Sequence, residues 1–99
     1  MGDTYTVSVW SVNQGQESSF IDAFRAFAAA ATEMGGAREG MILQDSDDSS
    51  HFIVVRRWDD PEVVERWRRE QDPELRDAVY STVSADDHAH VMTKVADLG

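Results

Sequence analysis

The sequence has no cysteine. Disulfides, thiolate metal sites and cysteine nucleophiles are therefore excluded, and nothing in it requires an oxidising compartment. Basic residues are scarce: 9 Lys and Arg stand against 19 Asp and Glu, for a formal net charge of −10. A phosphate-binding surface needs clustered positive charge, so a nucleic-acid role is not expected. Attachment to an anionic membrane surface is not expected either, and the plain consequence of the charge is solubility. No apolar run approaches the roughly 20 residues that span a bilayer. The N-terminus has no basic n-region and no apolar h-region, so no signal peptide is expected and a cytoplasmic location is. A glycine-rich phosphate loop, a GxSxG elbow and an HExxH helix are all missing, which argues against a tightly held nucleotide or a zinc-protease centre.

What is present fits one domain over residues 1–99. A chain of this length buries roughly two-thirds of its unfolded surface, enough for one modest core. Residues 4–12, TYTVSVWSV, alternate Tyr5, Val7 and Val9 with Thr6, Ser8 and Trp10, the period of a strand. From Glu17 the period changes: Phe20, Ile21, Phe24, Phe27, Ala28 and Ala31 make one helical stripe, stopped by Gly35-Gly36. Residues 38–46 and 51–58 read as two strands joined by the Asp/Ser run 45–50, hence as antiparallel neighbours. Asp60-Pro61 and Asp72-Pro73 each carry a cap followed by proline at the first helical position. They predict a helix with Val63, Val64 and Trp67 on its buried side. A further helix has Leu75, Ala78, Val79 and Val83 on one side. Residues 88–96 alternate again and predict a last strand, with Ala89, Val91, Thr93 and Val95 on one face.

The order βαββααβ is that of an α+β, ferredoxin-like domain, with helices on one face of an antiparallel sheet. The other face is not polar enough for water alone, which predicts a homodimer packed through it.

Several side chains are candidates for chemistry. Trp67 can stack on a flat aromatic ligand, with its N–H as donor, or simply fill core. Trp10 and Trp58 read as core. His88 and His90 are two apart on a strand and so share a face; such a pair supplies at most two metal ligands, and no metal centre is expected. A general base or a donor to a pocket is the better functional reading for them, against an exposed or interface position. Arg56 and Arg57 point to opposite strand faces, so one of them can face inward and hold an anionic or phenolic oxygen. Tyr80 can donate to a ligand oxygen. Phe24 and Val63 are candidate substrate contacts on the two helical stripes. His51, beside the Asp/Ser turn, reads as exposed.

A first strand ending in VNQG, followed by ESSFIDAF on a helix, resembles the opening of antibiotic biosynthesis monooxygenase domains. So does HFIVVRRWDDPEVVERW, a strand closed by Trp58 and an acidic cap that leads into the helix of Trp67. The resemblance covers about residues 4–96. It implies a dimeric α+β barrel with a pocket in each subunit between sheet and helices. It also implies oxygenation of electron-rich aromatics such as anthrones and quinols, with O₂ and without metal, flavin or heme. Heme-degrading relatives carry a His about ten residues after the helical Trp and an Asn on the first strand. This chain has Asp77 and, near the second position, Ser8. Anthrone-oxidising relatives carry an Asn one turn before the helical Trp, where this chain has Val63.

The reading that follows is a small cofactor-independent monooxygenase acting on an aromatic, polyketide-like substrate. Trp67, Tyr80 and His88 carry the chemistry, and Phe24, Arg56, Arg57, Val63 and His90 contact the substrate. The alternative on the same fold is a non-oxidative binding protein or a cyclase or isomerase, which the missing Asn and His favour.

Overall fold

The computed structural model describes residues 3–99, apart from the side chain of His88. Its elements are β1 (Thr4–Val12), α1 (Glu17–Met34), β2 (Ala37–Gln44), β3 (His51–Trp58), α2 (Pro61–Glu70), α3 (Pro73–Tyr80) and β4 (Val83–Thr93). The strands form one antiparallel sheet in the order β2-β3-β1-β4. Helices lie between the strands along the chain, so the α+β, ferredoxin-like expectation holds.

The helix starts follow from their capping residues. The Asp60 carboxylate accepts from the Val63 N–H, and the Asp72 carboxylate from the Glu74 N–H. Pro61 and Pro73 occupy positions whose N–H would have no helical partner anyway. At the far end of α1, Gly35 and Gly36 take φ of 95° and 91°. Gly36 is also required for space, because a Cβ there would lie 2.7 Å from Val63 Cγ1. Arg66 of α2 donates to the Met34 and Gly35 carbonyls, satisfying acceptors left open where α1 ends.

The last strand departs from the expected 88–96. It begins at Val83 and ends at Thr93, so Val83 belongs to the sheet and not to α3, and Val95 lies outside it, 93% exposed. The Thr82 N–H and hydroxyl both donate to the Val79 carbonyl and close the helix early. No Gly or Pro marks that junction, and the polar Ser84, Asp86 and Asp87 hide the strand period.

Alternation along β1 gives the sheet two unlike faces. Thr4, Thr6, Ser8, Trp10 and Val12 are buried under the helices. Val7 and Val9 point the other way, opposite Val55 and Ile53, which in turn face Met41 and Leu43 on β2. Met41 is 57% exposed and Leu43 48%. The core beneath the helices is split in two. One cluster holds Trp10, Val12, Phe20, Phe52, Val54 and Val79; the other holds Ala31, Ala37, Trp58 and Val64. A cavity opens between them.

Candidate active site

The cavity has a volume of about 320 Å³ and lies between the inner sheet face and all three helices. That is near the lower end of the range for small-molecule pockets. Trp10 and Trp58 form its floor, Phe24 and Phe27 of α1 one wall, and Trp67 of α2 another. Phe27 and Trp67 rings lie 5.0 Å apart at 54°, and Trp10 and Tyr80 rings 5.4 Å apart.

The polar residues among these rings are there for a reason. The Trp10 indole N–H donates to Ser8 Oγ and the Trp58 indole N–H to Thr6 Oγ1, each at 2.9 Å. Buried indoles need acceptors, and two small hydroxyl residues on β1 supply them. The same hydroxyls border the cavity and remain able to bond a ligand oxygen.

Arg56 enters from β3. It donates to the Arg38 and Ala28 carbonyls and to the Thr32 hydroxyl, and its guanidinium lies 5.7 Å from the centre of the Trp58 ring. Among the described residues it has no carboxylate partner. Burial pulls its pKa below the ordinary value, yet a guanidinium stays charged in a protein. It is a half-buried cation whose protein partners are all neutral.

The opposite end of the cavity carries Tyr80, Asp86, Arg68 and Gln71. The Tyr80 hydroxyl donates to Asp86 Oδ2 at 3.3 Å. Burial first, and then the Asp86 charge, push the phenol above its ordinary value, so it stays a donor. Arg68 is engaged with Glu65 Oε1 and the Ala89 carbonyl.

Of the residues singled out in the sequence, the structure brings Trp67, Tyr80, Phe24 and Arg56 together around one cavity. Arg57 lies on the other sheet face, bonded through Nε and Nη2 to both Glu39 oxygens. Val63 packs beside Gly36 and does not border the cavity. His90 pairs across the sheet with Val7, on the outer face, and its Nε2 lies 3.0 Å from Asp87 Oδ2. His88 is a β4 residue whose side chain lies outside the described part. His51 Nδ1 sits 3.0 Å from Asp45 Oδ2 at the β2–β3 turn.

A register shift explains part of this. Val7 pairs with His90 but Val9 with Asp87, so Ser8 faces two residues, 88 and 89, in a bulge. The bulge interrupts the two-residue period of β4. It turns Asp86 and Ala89 inward and Asp87 and His90 outward. Sequence reasoning therefore missed Asp86 as a cavity residue, along with Thr6, Ser8, Arg68 and Gln71. Among the described residues, no three His, Asp or Glu side chains converge as a metal-ligand set.

No curated protein matches the chain. Several solved structures share its fold. SnoaB from Streptomyces nogalater, a cofactor-independent oxygenase, is 17% identical, with 99% of this chain and 98% of that one covered and a TM-score of 0.84. A Nitrosomonas europaea protein assigned as an antibiotic biosynthesis monooxygenase is 19% identical, with 100% and 97% covered and a TM-score of 0.78. A conserved protein from Methanosarcina mazei Go1 is 12% identical, with 95% and 94% covered and a TM-score of 0.79. At these identities the likeness establishes the fold. The family itself comes from the sequence: the model of antibiotic biosynthesis monooxygenases matches residues 5–79, and the chain belongs to that family.

Proposed function

We propose that the protein is a cofactor-independent monooxygenase acting on a small, electron-rich aromatic of the anthrone or quinol type, in the cytoplasm. The observation that carries this reading is the aromatic-walled cavity with an unneutralised arginine at one end. Trp67 and the phenylalanines stack on the rings. Arg56, helped by Thr6 and Ser8, holds the oxygen on which negative charge gathers when the substrate loses a proton. The resulting anion is its own reductant: it gives one electron to O₂, and the radical pair combines to a peroxide. Reprotonation and loss of water then leave a new carbonyl. The proton acceptor on sequence grounds is His88 or His90, of which His90 lies on the other sheet face.

One observation favours a second reading, a non-oxidative binding or isomerising role. Val63 stands where anthrone-oxidising relatives carry an Asn, and here it packs on Gly36 away from the cavity. Oxygen uptake by the purified protein with a panel of anthrones and hydroquinones separates the two. Protein-dependent uptake that falls on the order of tenfold or more in Trp67→Ala supports oxygenation in this cavity. Tryptophan quenching by the same compounds with no uptake supports the second reading.

The working unit we propose is a homodimer. A second copy covers the outer face of Val7, Val9, Ile53, Val55, Met41 and Leu43, an apolar surface that a soluble monomer rarely leaves bare. Sedimentation should give a dimer at micromolar concentration. Added salt should strengthen it, because two chains of −10 repel each other.

A further inference from the structure

We propose that Asp86 is the group that takes the proton from the substrate, with the Tyr80 hydroxyl positioning its carboxylate. The proposal rests on the cavity being the site of the reaction and extends that reading to the base and to the shape of the substrate. Asp86 is the one carboxylate among the described residues that border the cavity. The bulge at Ser8 turns it inward, opposite Trp10. Its side chain also meets solvent, which gives an accepted proton a route out.

Charged and titratable groups approach the Asp86 end of the cavity from α2 and α3. Tyr80 of α3 donates to Asp86, and Arg76 of α3 lies close enough to act on the Tyr80 phenol. Arg68 of α2 borders the same end but is engaged with Glu65 and the Ala89 carbonyl, and Arg56 of β3 stands at the far end. Among the described residues, no second carboxylate on the cavity wall competes for the proton, and Tyr80 stays protonated because burial and the Asp86 charge both raise its pKa.

The two ends define the substrate. Asp86 pairs across the sheet with Trp10 and Arg56 with Thr6. Those two β1 positions are four residues apart, roughly 13 Å at a strand's rise per residue. Aromatic side chains fill the space between. The ligand that fits is a flat ring system with an acidic C–H or O–H on one edge and a carbonyl or hydroxyl oxygen on the opposite edge. In the step itself, the substrate's C–H or O–H bond breaks and its electron pair moves through the ring to the far oxygen, held by Arg56. The proton forms an O–H bond on Asp86 Oδ and later leaves to water. No electron leaves the substrate in this step, so it needs no oxidant.

The test is anaerobic. Anthrone is incubated with the protein in deuterated buffer, and deuterium uptake at its methylene carbon is followed above the buffer rate. Wild-type protein should accelerate exchange, and Asp86→Asn, which keeps the shape, should lose on the order of 10²-fold of that acceleration. Tyr80→Phe, which keeps the ring, should lower the maximal exchange rate on the order of tenfold and leave the KM for anthrone unchanged, because the lost hydrogen bond loosens the aim of the carboxylate and not the ring contacts. A merely structural role for Tyr80 would move both constants or neither. Exchange at the wild-type rate in Asp86→Asn overturns the proposal, whatever His88→Ala does. Absence of exchange in wild-type protein that still consumes oxygen aerobically also overturns it, and leaves oxygenation standing. Asp86-dependent exchange without oxygen uptake upholds the base and removes the oxygenase reading.

Discussion

Arg56 and Arg57 are adjacent in sequence and opposite in circumstance. Arg57 lies on the outer face of the sheet, and a carboxylate answers it with two hydrogen bonds. Arg56 lies under the helices, bonded to neutral oxygens and partly stripped of water. The rest of the sheet repeats the contrast. Its covered face carries Thr6 and Ser8 among aromatics, while its open face carries valine, isoleucine, leucine and methionine. A plain two-layer domain would keep hydroxyl residues out of the layer beneath the helices and turn polar ones toward water along the whole open face. This contrast is what supports the two proposals, a flat ligand with polar edges beneath the helices and a second copy over the open face.

The largest effect that can break this comparison is on stability. Phe20 is completely buried and meets the rings of Trp10, Phe24 and Phe52. Phe20→Ala should cost about 3–5 kcal/mol in denaturant unfolding, the usual range for a large core truncation. Val7→Asp, on the open face, should instead act on assembly. Sedimentation should show monomer where a dimer is proposed for the unaltered chain, with the folded monomer's spectrum kept. A Val7→Asp protein that sediments like the original would mean that the open face is not the contact between copies.

The second effect separates the two arginines directly. Arg56→Met removes the cavity cation while keeping much of the stem. Affinity for an anionic hydroxyanthraquinone, read by tryptophan quenching, should fall roughly 10- to 100-fold, the equivalent of one charge-assisted hydrogen bond. Arg57→Met should leave that affinity alone. Equal losses in both variants would show that net charge, not the position of Arg56, attracts the ligand.

Much of this was legible beforehand, for physical reasons that differ by element. The helix starts at Pro61 and Pro73 were readable because a capping carboxylate and a proline act locally, through their own backbone. The placement of Arg56 and Arg57 on opposite faces followed from strand period alone. β4 was not readable in the same way. Its first half is polar, its junction with α3 has no glycine, and its bulge depends on what Ser8 meets across the sheet, a contact between residues far apart in the chain. That one bulge decides whether Asp86 or its neighbour Asp87 borders the cavity. A pocket between sheet and helices is implied by the family resemblance alone, because residue periodicity gives no sign of it. Trp10 and Trp58 look like core in sequence and are buried, but they belong to two separate clusters, and the gap between clusters leaves no trace in periodicity.

The smallest effect sharpens the comparison on the outer face. Glu39 has its pKa lowered from an ordinary 4.5 to about 2, first by the hydrogen bond from Arg57 and then by a backbone hydrogen bond. Because the folded-state value is the depressed one, the pair's stabilisation is complete above about pH 4.5 and is lost as pH falls through about 2. Glu39→Gln should flatten the pH dependence of unfolding in that window and change little at neutral pH. The pair is open to solvent in the single chain, so its contribution is small there and salt should erase it. In a dimer closed over the outer face the same pair lies nearer the contact and is screened less. Unfolding followed between pH 2 and 5 at low salt and in concentrated NaCl, with Glu39→Gln as reference, should therefore keep a Glu39-dependent slope at high salt. A slope that vanishes in salt would put Arg57 in water, and leave the contrast with Arg56 as one between a bound cation and a solvated one.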